Sequence, residues 1–237
     1  MRPTVLLFDV DGTLVSTDGA GRRALAAAFE CVVGRGTIVE GLDFAGTTDP
    51  YIVRHGLGVL GEPDSPAVVA AVLDAYVERL REELAVPGTV TVHDGVQRTL
   101  EAVGGRADVA VGLGTGNIEP GAWAKVGAAG LDAAFAFGGF GSDDEDRPSL
   151  LRIGAARGAA TLGRACDACR VVVIGDTPRD LAAAQAIGAE CVLVATGRFD
   201  VEALRRLGTE RVFERIDEDG VLEAVLGDVP APVGEPT

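Results

Sequence analysis

Short, uninterrupted apolar runs along this chain end abruptly in polar or glycine residues. Thr4–Phe8 runs into Asp9, and Val109–Leu113 into Gly114-Thr115-Gly116-Asn117. Val171–Ile174 runs into Gly175-Asp176-Thr177-Pro178, and Val192–Ala195 into Thr196-Gly197-Arg198. Runs that are apolar throughout, with no polar alternation, suit strands covered on both faces, as in a parallel sheet. Between them, Ala-, Leu- and Arg-rich stretches predict helices over Gly95–Val103, Pro120–Ala129, Pro148–Thr161 and Asp180–Ile187. Strands alternating with helices indicate the α/β class, here a doubly wound, Rossmann-like, mostly parallel sheet. Such sheets bind ligands beyond the carboxyl ends of their strands, where the polar residues just named collect.

The alternation breaks between Ser16 and Gly88. Three helical patterns, near Gly19–Val33, Asp49–Leu60 and Ala67–Leu84, lie there with little strand signal, punctuated by Gly41, Gly46, Pro63, Pro66 and Pro87. A segment this long exceeds what one crossover connection needs, so it reads as an inserted α-helical cap domain, residues 16–88. The α/β core then comprises residues 1–15 and 89–227, and the Pro-rich residues 228–237 are expected to be a disordered tail. The chain has no internal repeats.

Composition narrows the choice of partner. The 237 residues are 47% apolar and 24% charged, an ordinary globular balance, but 21 Lys+Arg against 36 Asp+Glu leave a net charge of −15. That field repels phosphate backbones and anionic lipid, which excludes nucleic acid and membrane surfaces as expected partners. The apolar run before Asp9 is too short for a signal peptide, and no window approaches the ~18 apolar residues of a membrane span, so the expected location is the cytoplasm. Cys166-Asp-Ala-Cys169 has no second pair and no nearby histidine, so it reads as a loop with incidental thiols and not as a zinc or redox centre.

Three strand ends carry chemistry. In Asp9-Val10-Asp11-Gly12-Thr13 two carboxylates at i and i+2 on extended backbone share one side, and Gly12 permits a sharp turn after them. Such a pair can hold a hard divalent cation, or one can attack an electrophile while the other handles protons. Thr115-Gly116-Asn117 offers a hydroxyl and successive backbone N–H groups at a helix entry, an anion site. Gly112-x-Gly114-x-Gly116 lacks the GxGxxG spacing of a dinucleotide site, because Asn117 occupies the third glycine position. Asp176 ends a further strand and Asp180 opens the next helix. Four acids at one sheet edge repel strongly without a cation, which points to Mg²⁺. Arg147, just before Pro148 and a helix, is the best-placed positive partner for a substrate phosphate, with Lys125, the chain's one lysine, second.

The ordered set Asp9-x-Asp11-Gly12-Thr13, Thr115-Gly116-Asn117, Arg147-Pro148 and Gly175-Asp176-x-x-x-Asp180 resembles the haloacid dehalogenase superfamily. The likeness is greatest to its phosphoglycolate phosphatase-like and β-phosphoglucomutase-like groups, in which a helical cap follows the first motif. The third motif usually carries lysine before proline, and here it carries Arg147. The resemblance implies a phosphatase acting on a small phosphorylated metabolite, with Asp9 as nucleophile and Asp11 as acid and base. It implies Mg²⁺ on Asp9, the Asp11 carbonyl and Asp176, and phosphate held by Thr115, Gly116, Asn117 and Arg147. Asp180 would orient Arg147 or a metal-bound water. Thr47, Thr48 and Arg54 in the cap are expected substrate contacts, with Arg22 and Arg23 as further candidates. An acid at position 11 and the absence of a cap lysine argue against dehalogenation and phosphonate hydrolysis. A phosphotransferase or mutase using the same aspartyl-phosphate, and a non-catalytic phospho-acceptor module, stay open as alternatives.

Overall fold

A computed structural model describes residues 2–227; the tail expected at 228–237 lies outside the described residues. In chain order, β1 (Thr4–Phe8) and the short β2 (Val15–Ser16) precede three helices, α1 (Ala20–Val33), α2 (Asp49–Leu60) and α3 (Pro66–Leu84). The chain then forms β3 (Thr91–Val92), α4 (Val96–Val103), β4 (Val109–Thr115), α5 (Glu119–Ala128), β5 (Gly138–Phe140) and α6 (Arg147–Thr161). It ends with β6 (Arg170–Gly175), α7 (Pro178–Ala186), β7 (Glu190–Val194), α8 (Val201–Arg205), β8 (Val212–Phe213) and α9 (Val221–Leu226).

Six strands form one parallel sheet in the order β5-β4-β1-β6-β7-β8. Its continuous apolar runs have the physical basis expected of them. Along β1, Leu6 and Phe8 point into one core cluster, with α4, α5 and α9, while Val5 and Leu7 point into another, with α6 and α7. Each of these side chains is fully buried, which stabilises the fold by about 1.5–3 kcal/mol apiece. The inserted helices bury a third cluster of their own, including Phe29, Ile52, Leu57, Val72 and Leu80, which Ile118 of the core joins. The insertion leaves and rejoins the core through a two-residue antiparallel ribbon, β2 with β3.

The sequence pattern carries no signal for β5, because two of its three residues are glycines without an apolar side chain. The two-residue strands β2, β3 and β8 are likewise too short for any periodicity to register.

What matters for the site is the position of β1. It pairs with β4 on one side and β6 on the other, so Phe8 lies in register with both Leu113 and Ile174. Chain order reverses direction across the sheet at this strand. Such a switch point opens a crevice beyond the carboxyl ends, and the residues after β1, β4 and β6 all reach it.

Candidate active site

Asp9 follows β1, with its N–H donating to the Ile174 carbonyl at 2.8 Å, and is 5% exposed. Asp176 follows β6 and is 3% exposed; its Oδ1 accepts from the Thr13 hydroxyl at 3.2 Å. Gly12 makes this approach possible. Its φ is 82°, and a Cβ there would lie 2.5 Å from Asp176 Oδ2, so a side chain would be strained and obstructed at once.

Asp180 is fully buried and has two tasks. Thr177, not Asp180, caps α7, and Asp180 Oδ2 closes the capping box by accepting from the Thr177 N–H at 2.9 Å and hydroxyl at 2.7 Å. Its other oxygen accepts from Arg147. Arg147, at the start of α6, also reaches Asp9 Oδ2 at 3.2 Å and the Gly46 carbonyl of the insertion at 3.3 Å. Its Nε is buried with no hydrogen-bond partner among the described residues.

Asp9, Asp176 and Asp180 can each offer an oxygen within 4.8 Å of the others. Burial, with the charges of Asp180 and Asp11 against that of Arg147, pushes the Asp9 carboxyl up to about 6. Burial and the neighbouring Asp9 and Asp180 push Asp176 up to about 8. Carboxylate oxygens are the donors a hard divalent cation takes, and three buried acids facing one arginine leave negative charge for it to neutralise. The residues present therefore fit a metal such as Mg²⁺.

Asp11 is placed differently. Its side chain is 45% exposed, and its Oδ2 accepts from Lys125 Nζ at 2.5 Å and Asn117 Nδ2 at 2.8 Å. Asn117 Nδ2 also reaches Thr115 Oγ1 at 2.9 Å. Asp9, Asp11, Thr115, Gly116, Asn117, Arg147 and Asp176 line one cavity of about 230 Å³. The loop Phe44–Thr47 forms its far wall. A Cβ on Gly116 would overlap the Thr47 carbonyl oxygen, so only glycine lets this wall come so close.

The chain matches the haloacid dehalogenase-like hydrolase family over residues 3–188. It belongs to that family. No curated protein matches it, but solved structures of this haloacid dehalogenase-like hydrolase's fold do. CbbY from Rhodobacter sphaeroides, in complex with phosphate, is 22% identical over 95% of this chain and 99% of its own, with a TM-score of 0.68. A mutant of CbbY holds xylulose-(1,5)bisphosphate. A hydrolase from Pseudomonas syringae is 20% identical over 96% of this chain and 100% of its own, at 0.66. A predicted phosphoglycolate phosphatase from Haemophilus somnus is 16% identical over 94% of this chain and 98% of its own, also at 0.66. At these identities the likeness establishes the fold, an α/β sheet with a helical region inserted after β1. Among the described residues, no helix is long and apolar enough to cross a membrane.

The insertion's expected contacts separate in this hydrolase. Thr47 lines the cavity, its hydroxyl donating to the Asp43 carbonyl at 3.1 Å and the Phe44 carbonyl at 3.0 Å. Thr48 is buried behind it, its hydroxyl donating to the Glu145 carbonyl at 3.2 Å. Arg54 pairs with the Glu145 carboxylate and donates to the Asp64 carbonyl at 2.9 Å, outside the cavity wall. Arg22 ties the Val39 carbonyl and stacks over Phe44, 4.1 Å from the ring centroid, while Arg23 pairs with Glu83 at 2.7 Å. Sequence reasoning missed Arg198, which lines the cavity, and Arg179, which pairs with Asp43 at 2.9 Å and donates to the Ala45 carbonyl. Their signal was present: both follow apolar runs at strand ends, Arg198 directly after Thr196-Gly197.

Proposed function

We propose that this chain is a Mg²⁺-dependent phosphomonoesterase that hydrolyses a small phosphate monoester through an aspartyl-phosphate on Asp9, with residues 16–88 serving as its cap. The observation that carries the reading is the cluster of Asp9, Asp176 and Asp180 at the sheet's switch point, two of them paired with Arg147, with Asp11 held two residues after Asp9. The neighbours' complexes with phosphate and with a sugar bisphosphate support a small phosphorylated ligand, and a cavity of about 230 Å³ suits one.

Asp9, the Asp11 carbonyl and Asp176 would hold Mg²⁺, which neutralises charge among the carboxylates and on the phosphoryl oxygens when bound. Thr115, Gly116, Asn117 and Arg147 would surround the transferring phosphoryl group, and the unpartnered Arg147 Nε is a donor that such an anion can take. Asp180 keeps Arg147 in place through the oxygen its capping box leaves over. Asp9 attacks phosphorus in line while Asp11 protonates the leaving oxygen; Asp11 then takes a proton from the water that hydrolyses the intermediate. The loop over the cavity limits access of bulk water during the first step.

The test is phosphate release from p-nitrophenyl phosphate and a panel of small monoesters, with Mg²⁺, with EDTA, and in Asp9→Asn. Turnover that needs Mg²⁺ and falls at least about 1000-fold in Asp9→Asn supports the reading. Turnover only with a phosphoryl acceptor other than water would assign a phosphotransferase instead. Stoichiometric phosphorylation without turnover would assign a phospho-acceptor module.

A further inference from the structure

Lys125 is 4% exposed, and an ammonium so far out of water needs acceptors. Among the described residues it has two, Asp11 Oδ2 at 2.5 Å and Asn117 Oδ1 at 2.6 Å. Asn117 closes the triangle by donating its own amide to the same Asp11 oxygen at 2.8 Å. Both donors therefore converge on Oδ2, and Oδ1 has no protein donor among the described residues. Asp11 and Asn117 line the cavity but Lys125 does not, so Lys125 acts on the site through Asp11 and not on the phosphoryl group.

A purely structural role, as counter-charge to the buried Asp49, explains the contacts less well. The Asp49 carboxylate takes its hydrogen bond from the Ile118 N–H at 2.9 Å, whereas both bonds from Lys125 go to the Asp11 triangle. The ammonium also lies beneath the inserted helices. A Cβ on Gly21 of α1 would sit 3.7 Å from both Lys125 Nζ and the hydroxyl of Tyr76 in α3.

We infer that Lys125 is a positioning residue which, with Asn117, clamps Asp11 by Oδ2 so that Oδ1 is the atom that gives and takes the proton. This rests on the phosphatase reading above. A half-exposed aspartate otherwise spreads over several rotamers, and proton transfer demands one geometry. In the first half-reaction the bond from Asp9 oxygen to phosphorus forms as the bond to the leaving oxygen breaks, and the proton of Asp11 passes to that oxygen. In the second, water's oxygen bonds to phosphorus, the Asp9–phosphorus bond breaks, and water's proton returns to Asp11. An aryl leaving group departs without the first proton, but the second step needs Asp11 whatever the ester.

The experiment is stopped-flow release of p-nitrophenol, with rapid-quench phosphorylation by an alkyl phosphate such as glycerol phosphate, in the wild type and Lys125→Met with Mg²⁺. The expected result for Lys125→Met is a one-per-site p-nitrophenol burst at the wild-type rate, then turnover slowed about 100-fold, the lower range for general acid–base catalysis. Phosphorylation by the alkyl ester slows by a similar factor. Equal loss of burst and turnover with both esters, or wild-type turnover in the variant, overturns the inference. If Lys125→Met does not fold, the same traces from Lys125→Gln, which keeps a donor but no charge, decide it. Wild-type protein that releases no p-nitrophenol overturns the phosphatase reading as well, whereas wild-type turnover without the split overturns this inference alone.

Discussion

Asp176 is 3% exposed, receives one hydroxyl hydrogen bond from Thr13, and shares its surroundings with Asp9 and Asp180. Burial and those two charges push its carboxyl from 3.8 up to about 8. In the metal-free protein the folded chain therefore keeps this proton to about pH 8, whereas the unfolded chain loses it near 3.8. Over that interval the folded state binds more protons, and stability falls as pH rises. At about 1.4 kcal/mol per tenfold change in proton affinity, the interval corresponds to about 6 kcal/mol, of which about 5 is lost by pH 8, where the folded group is half ionised. Asparagine carries no charge at any pH and keeps an acceptor for Thr13. Metal-free Asp176→Asn is thus expected to match the wild type near pH 4 and to exceed it by several kcal/mol, about 5 at most, at pH 8. Urea denaturation in EDTA, followed by fluorescence of the single Trp123, reads this directly. On the proposed ligand set, Mg²⁺ should raise the stability of the wild type and not of the variant, because the variant has lost one of the carboxylates proposed to hold the cation. A variant less stable than the wild type at pH 8 in EDTA, or a wild-type profile flat from pH 4 to 8, would refute the electrostatic argument.

Arg147→Met leaves Asp9 and Asp180 without their shared cation and is expected to cost about 3–5 kcal/mol by urea denaturation. Arg147→Lys, which keeps the charge but not the fork that reaches Asp9, Asp180 and the Gly46 carbonyl together, should lose less stability and still raise KM. Gly116→Ala drives a methyl group into the Thr47 carbonyl, with an expected loss of about 1–3 kcal/mol in a thermal melt and a raised KM in phosphate-release kinetics. Glu190, held by Arg170 at 2.6 and 2.8 Å and by Arg211, has its carboxyl drawn from 4.5 down to about 2. Its contribution is present above 4.5 and lost as pH falls toward 2, and at its partial exposure comes to about 1 kcal/mol. Glu190→Gln should remove that acid dependence in urea denaturation and leave kcat unchanged, since the pair sits at the amino end of β7, away from the strand ends that carry the site.

The sequence by itself determined the sheet and the acids. An uninterrupted apolar strand needs cover on both faces, so Thr4–Phe8 declared a parallel, doubly wound sheet, and the polar residue that ends each run had to lie at its carboxyl edge. The long helical insertion was legible for a similar local reason, because helix α2 runs along one stretch of chain with Pro50 in its first turn and the left-handed Gly61 at its end. The tertiary structure alone decided which charges meet. Periodicity says nothing of β5, whose glycines carry no apolar side chain, nor of which long side chain spans from one element to another. Lys125 and Asp11 are more than a hundred residues apart and meet because β1 and β4 are neighbours in the sheet. Arg54 lies close in sequence to Thr47, but the direction of α2 turns it to Glu145. Arg198 joins the cavity wall because β7 ends beside β6, a pairing decided by packing across the whole sheet and recorded in no local stretch of sequence.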